Sequence, residues 1–141
     1  MQRKGNAVWT GGLKDGKGTV STQSGVLKDT QYSFSTRFEN GVGTNPEELL
    51  AAAHAGCFSM AFSAQLDQVG LKAERIATEA TISLEKGDSG FSITSSHLVM
   101  TAKIPNATEE QFQTAANNAK AGCPVSKLYN TKISLDAKLE K

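Results

Sequence analysis

Two cysteines stand where the sequence could do chemistry. Cys57 lies in the run AHAGCFSM, three residues after His54, and Cys123 lies in KAGCPVS. On a helix, residues three apart project on neighbouring parts of one face, so Cys57 and His54 have the makings of an activated nucleophile. The bland alternative is an inert thiol filling a core, with the histidine hydrogen-bonded to a nearby carbonyl. Cys123 follows Gly122, which stops one helix, and precedes Pro124, which suits the first position of another. A cysteine at such an N-cap gains thiolate character from the helix end; otherwise it is only a small residue at a junction. Local chemistry alone thus makes Cys123 the more acidic thiol. Arg37 and Glu47 are of the types that form a bidentate ion pair, or else a surface pair worth about 0–1 kcal/mol. A zinc site would need Cys57, His54, Cys123 and a fourth ligand such as Glu47 or His97. The cysteine spacing matches no local zinc pattern, so no metal is expected. His97 reads as a strand residue without a catalytic role.

These residues must be positioned by a chain of 141 residues, enough for one compact domain with a real core. Fifteen basic residues against fourteen acidic ones leave a net charge of +1, which gives no electrostatic reason to expect nucleic acid or an acidic membrane as partner. The N-terminal run MQRKGN lacks the apolar core of a secretory signal, and the apolar stretch from Leu49 to Ala64 is short for a bilayer span. The expectation is a cytoplasmic protein whose thiols are reactive or inert rather than a permanent staple.

The first third reads as strands and turns. Ala7–Thr10 and Thr19–Thr22 are β-prone, and Gly11-Gly12, Asp15-Gly16 and Ser24-Gly25 break them. Tyr32, Phe34, Thr36 and Phe38 alternate with polar residues, which predicts a strand with Arg37 on its polar face. The period then changes. Asn45 suits an N-cap, Pro46 a first helical position, and Glu47 and Glu48 the positive helix end. The helix should run to about Val69, with Gly70 as its stop, and its apolar circumference from 49 to 64 predicts a central buried helix. Two long β runs follow, from Ile76 to Leu84 and from Phe91 to Ile104. In the second, apolar positions switch from odd to even numbers, which predicts a bulge near Ser95-Ser96. Thr108 with Gln111 forms a capping box for a helix ending at Gly122, and Ile133 to Leu139 alternate as a last strand. The order is α+β, with an antiparallel sheet wrapped on the central helix, and no repeat or linker divides residues 1–141.

Taken together, GKGTVSTQSGVL, YSFSTRFENGVGTNPEELLAAAHAGCFSMA and KAGCPVS resemble the OsmC/Ohr family, the osmotically inducible and organic hydroperoxide resistance proteins, over essentially the whole chain. The resemblance is to the OsmC branch. Ohr proteins carry their key arginine in the early Gly-Gly loop, where this chain has Leu13, and the OsmC-type arginine matches Arg37.

The resemblance implies a thiol peroxidase of organic hydroperoxides, acting less well on hydrogen peroxide, with Cys57 peroxidatic and Cys123 resolving. Arg37 and Glu47 correspond to the pair that activates the thiolate. An intertwined homodimer with its sites at the subunit interface is implied. So is a dithiol reductant, such as dihydrolipoamide or a lipoylated protein, and no metal or organic cofactor. Apolar walls for such a substrate are expected from Phe58, Met60 and Phe112. Ten residues separate Glu47 from Cys57, about 15 Å along one helix. Two helices crossing antiparallel near residue 52 would bring Glu47 of one chain to Cys57 of the other. The rival reading is a redox-responsive sensor or binding protein that uses the same thiols without turnover.

Overall fold

The computed structural model describes residues 1–140. They form two compact units, Met1–Leu49 and the chain from Leu50 onward, and the boundary falls inside a continuous helix, so no linker marks it in the sequence.

In the first unit, β1 (Gly5–Thr10), β2 (Lys17–Thr22) and β3 (Thr30–Tyr32) make an antiparallel sheet in that order. Trp9 and Tyr32 pack at 5.3 Å over Gly18, where any Cβ would collide with both rings. The strand expected through Phe38 ends at Tyr32. Residues Phe34–Phe38 are instead a short helix, α1, and Arg37 lies on it. Ser33 accepts from the Thr36 amide and the Thr36 hydroxyl accepts from the Ser33 amide. This capping box overrides a period-two pattern too short to choose between strand and helix.

Helix α2 (Pro46–Asp67) starts as its cap residues dictate: Asn45 Oδ1 accepts from the Glu48 amide at 2.8 Å. Its end is a Schellman motif. Gly70, at φ 71°, donates to Asp67, and Leu71 donates to Leu66, as expected of a left-handed glycine just past a helix.

The second unit has a sheet ordered β4 (Arg75–Gly87), β5 (Gly90–Lys103), β6 (Lys132–Glu140). The register of β4 and β5 slips opposite Ser83 and Leu84, leaving Thr94 unpaired, just before the expected place. From there on the even-numbered side chains of β5 turn inward: Ser96, Leu98, Met100 and Ala102 are buried. The expectation of an antiparallel sheet holds for β4–β5, but β6 pairs parallel to β5. Between them α3 (Glu109–Gly122) and α4 (Pro124–Leu128) carry the chain back to the end of the sheet where β5 began, and a helical crossover of that kind yields parallel neighbours.

The core lies between this sheet and the helices. Phe58, Phe62 and Leu66 of α2 meet Leu98, Met100 and Ala102 of β5 and Phe112, Ala115, Ala116 and Ala119 of α3. Each fully buried phenylalanine or leucine contributes roughly 1.5–3 kcal/mol. By length and composition α2 would suffice to cross a membrane, but His54, Phe58, Phe62 and Leu66 form one buried stripe at four-residue spacing. Only that stripe is fully buried, with residues beside it such as Ala55, Cys57 and Ala61 partly covered. Ala52, Ala53, Gly56, Met60, Ser63 and Ala64 are exposed, so the helix is buried on one face rather than all round.

Candidate active site

The second unit brings the two cysteines together. Cys57 projects from α2 and Cys123 sits at the junction of α3 and α4, with Sγ atoms 2.6 Å apart. Both are free thiols, and the Cys123 thiol donates to the Cys57 sulfur. Cys123 is fully buried, whereas Cys57 keeps partial access to solvent.

Cys123 occupies the N-cap of α4 as expected, but its sulfur caps nothing. The amide that would have served it, that of Val125, donates instead to Cys57 Sγ at 3.5 Å. Burial pushes the Cys57 thiol above its ordinary range. The hydrogen bond with Cys123 adds to that shift, and the Val125 amide opposes it.

His54 does not face the thiols as a free base. It is fully buried, with Nδ1 2.7 Å from Ser96 Oγ on β5 and Nε2 2.8 Å from Ser126 Oγ on α4. Burial lowers its pKa, so the ring is neutral near pH 7 and gives one hydrogen bond while accepting the other. Tyr129 stands edge-on to the ring at 5.0 Å, and its hydroxyl donates to the Leu50 carbonyl at 2.8 Å. Tyr129 titrates high, chiefly through burial and then through the nearby thiolate charge.

Arg37 and Glu47 pair within the first unit. Arg37 Nη2 and Nε donate to Glu47 Oε1 at 2.7 and 3.1 Å, and Nε also reaches Oε2 at 3.2 Å. The guanidinium lies 5.3 Å from the centroid of the Phe38 ring. Asn45 supports the arrangement, because its amide donates to the Thr36 carbonyl of α1 while its oxygen caps α2. Trp9, Leu13, Tyr32, Phe34 and Phe38 line an apolar recess of about 190 Å³ beside Arg37.

The three residues expected as apolar walls are placed differently. Phe58 and Phe112 are fully buried core side chains, each packed with Phe62, and offer no surface to a ligand in this chain. Met60 is 77% exposed on the uncovered face of α2. Among the described residues no three His, Cys, Asp or Glu side chains gather as a metal site would require. His97 bonds Ser134 at 2.6 Å and approaches Asp136 at 3.3 Å on the sheet, apart from the thiols.

Sequence reasoning missed Ser96, Ser126, Tyr129 and the Val125 amide. Ser96 carried a signal, as a polar residue at an inward position of a strand otherwise apolar on that face. Ser126 and Tyr129 follow Cys123 at spacings of three, which mark one helical face only once α4 is known to reach them.

Residues 38–138 match the family described as OsmC-like protein. The chain is 49% identical to the peroxiredoxin OsmC of Escherichia coli (strain K12) over 140 residues, which is 99% of this chain and 98% of the relative. It is 30% identical to the organic hydroperoxide resistance protein OhrB of Bacillus subtilis (strain 168), covering 87% of this chain and 88% of the relative. In fold it resembles the crystal structure of an OsmC-like protein from Mycoplasma pneumoniae, with a TM-score of 0.78 at 15% identity over 100% of this chain and 99% of the other. The chain belongs to the OsmC-like protein family and is a peroxidase.

Proposed function

We propose that this protein reduces organic hydroperoxides to alcohols by a two-thiol cycle, with Cys57 attacking first. The Cys57 thiolate bonds to the terminal peroxide oxygen as the O–O bond breaks. The sulfur becomes a sulfenic acid, and the organic fragment takes a proton and leaves as the alcohol. The Cys123 thiol then displaces water from that sulfenic acid, forming a Cys57–Cys123 disulfide. An external dithiol restores both thiols by exchange and is itself oxidised. The observation that carries this reading is the approach of the two sulfurs to 2.6 Å with Cys57 accessible and Cys123 buried. A peroxide meets the first sulfur before the second.

The burial that raises the Cys57 pKa calls for a cation beside it, and Arg37, held by Glu47, is the cation proposed. Glu47 and Cys57 lie about 15 Å apart along α2, so one helix cannot bring them together. The active form is therefore read as an intertwined homodimer in which the Arg37–Glu47 pair of one chain serves Cys57 of the other. Two observations support a second copy. The small-residue face of α2 is uncovered, with open space around Gly56. The unit Met1–Leu49 buries only Gly16, Gly18, Thr36 and Thr44, none of them a large apolar side chain, which is too little for a unit of that size to stand by itself. The apolar recess beside Arg37 fits the organic part of the substrate and takes over the role expected of Phe58 and Phe112.

Steady-state turnover of cumene hydroperoxide and hydrogen peroxide, with dihydrolipoamide as reductant, tests the reading. Many turnovers per chain, faster with the organic peroxide and abolished in Cys57→Ser, are expected. Consumption that stops after one equivalent identifies a sensor instead, and unchanged consumption by Cys57→Ser overturns the assignment of the thiol.

A further inference from the structure

Helices α2 and α4 are joined by three polar rungs. Leu50, His54 and Cys57 lie on one face of α2, at spacings of four and three. Tyr129, Ser126 and Cys123 follow one another backwards along α4 and its caps at spacings of three. Tyr129 bonds the Leu50 carbonyl at 2.8 Å, Ser126 bonds His54 at 2.8 Å, and Cys123 meets Cys57. The two segments therefore run antiparallel, with the redox pair as the last rung. The middle rung is anchored on its far side as well, since His54 also bonds Ser96 of β5. With both ring nitrogens engaged by hydroxyls, His54 has no free lone pair to take a proton from Cys57.

We propose that His54 is a positioning residue for the disulfide-forming half of the cycle: by tying Ser126 of α4 to Ser96 of β5 it holds the buried Cys123 sulfur against Cys57 once Cys57 has been oxidised. The physical need is specific. A sulfenic acid that is not met by its partner thiol is open to further oxidation to the sulfinic acid, which dithiols do not reverse. Helix α4 has only five residues and cannot hold its own position by helix formation alone. The His54–Ser126 rung is buried, so its loss leaves an unpaired polar group that α4 can relieve only by moving. The first step, attack of Cys57 on peroxide, uses no atom of α4 except the Val125 amide, and is far less dependent on this rung. The inference rests on the two-thiol reading above.

The test is rapid mixing of reduced protein with one equivalent of cumene hydroperoxide. Formation of the Cys57 sulfenic acid and its closure to the disulfide are followed as separate phases, with intact mass read after excess peroxide. In Ser126→Ala and His54→Phe the closure phase is expected to slow about tenfold, the rate equivalent of one buried hydrogen bond, with the first phase changed less than about twofold. Sulfinic acid should accumulate in both. Leu66→Ala, a core truncation on α2 away from the rungs, should lower the melting temperature yet leave the closure phase alone, which separates positioning from general loss of stability. If Ser126→Ala closes at the wild-type rate and is not over-oxidised, the inference is overturned and the two-thiol reading stands. If the wild type itself forms no Cys57–Cys123 disulfide, that reading falls and takes the inference with it.

Discussion

The Val125 amide donates to the sulfur of Cys57 and not to Cys123, the residue that occupies the N-cap of α4. A helix end favours a thiolate by aiming unpaired N–H groups at it, so its direction matters more than which residue holds the cap position. Here that direction favours the accessible thiol, yet burial and the Cys123 hydrogen bond outweigh it and leave Cys57 shifted upward.

If Arg37 serves Cys57 as proposed, the cation decides the pH dependence. A thiol held above its ordinary pKa is mostly protonated near pH 7, so without the guanidinium the reactive thiolate appears only as pH rises. In Arg37→Ala the rate of Cys57 alkylation by iodoacetamide should climb steadily through the alkaline range. The wild-type rate should level off at lower pH, and peroxide consumption at pH 7 should fall in the variant by about tenfold or more. Superimposable alkylation profiles would remove Arg37 from the role proposed for it.

His54 should leave a signature in stability. Its folded-state pKa lies below the ordinary 6.5 because burial disfavours the cation. As pH falls through 6.5 the unfolded chain binds the proton first, so stability declines from there down to the folded-state pKa and is flat above about pH 7.5. The groups packed on the ring are the hydroxyls of Ser96 and Ser126 and the Tyr129 ring, none of them charged at these pH values. Urea unfolding between pH 5 and 8 should show this decline in the wild type and a flatter profile in His54→Phe. Equal slopes in the two proteins would mean that other groups carry the effect.

Much of this architecture could be read in the sequence because its signals are local. Asn45, Pro46 and Gly70 bound α2 through hydrogen bonds within a few residues of each helix end, and Thr108 with Gln111 does the same for α3. The helix α1 was legible too, in the Ser33–Thr36 spacing, but the aromatic alternation across it pointed to a strand. The direction of β6 was not local, since it depends on where two helices deliver the chain. The pairing of Cys57 with Cys123 followed from resemblance alone, and the serines that fix His54 come from a strand and a helix far apart in the sequence. The apolar lining of a site is least legible of all. Phe58 and Phe112 are of the right type, but the stripe that buries His54, Phe62 and Leu66 buries Phe58 with them.

Asn45 links the two ends of the Arg37 site, capping α2 through its oxygen and holding the Thr36 carbonyl through its amide. Asn45→Ala should cost about 1 kcal/mol in urea unfolding, the usual value of an N-cap. It should also lower peroxide turnover at pH 7 while leaving α3 and the disulfide-forming step unchanged. Asn45→Asp, which keeps the cap and loses the donor to Thr36, should recover most of the stability but not the turnover. Full recovery of both would assign Asn45 to capping alone.

The proposed composite site makes a prediction that one chain cannot satisfy. Cys57→Ser lacks the nucleophile but keeps Arg37 and Glu47, and Arg37→Ala keeps the nucleophile but lacks the cation. If each site draws its ion pair from the opposite chain, a mixed dimer of the two variants contains one fully intact site and one doubly defective site. Unfolding the two together at equal amounts and refolding them makes about half the dimers mixed, so turnover should return to about a quarter of the wild-type level. Refolded alone, Cys57→Ser should stay inactive and Arg37→Ala should keep no more than about a tenth of the wild-type turnover. If Arg37 and Cys57 served the same site from one chain, every site in the mixture would lack one of them and turnover would not rise above the residual level of Arg37→Ala. Sedimentation of the wild type as a dimer, and of Met60→Glu as a monomer because it places a charge on the uncovered face of α2, would show that the recovered activity depends on that face.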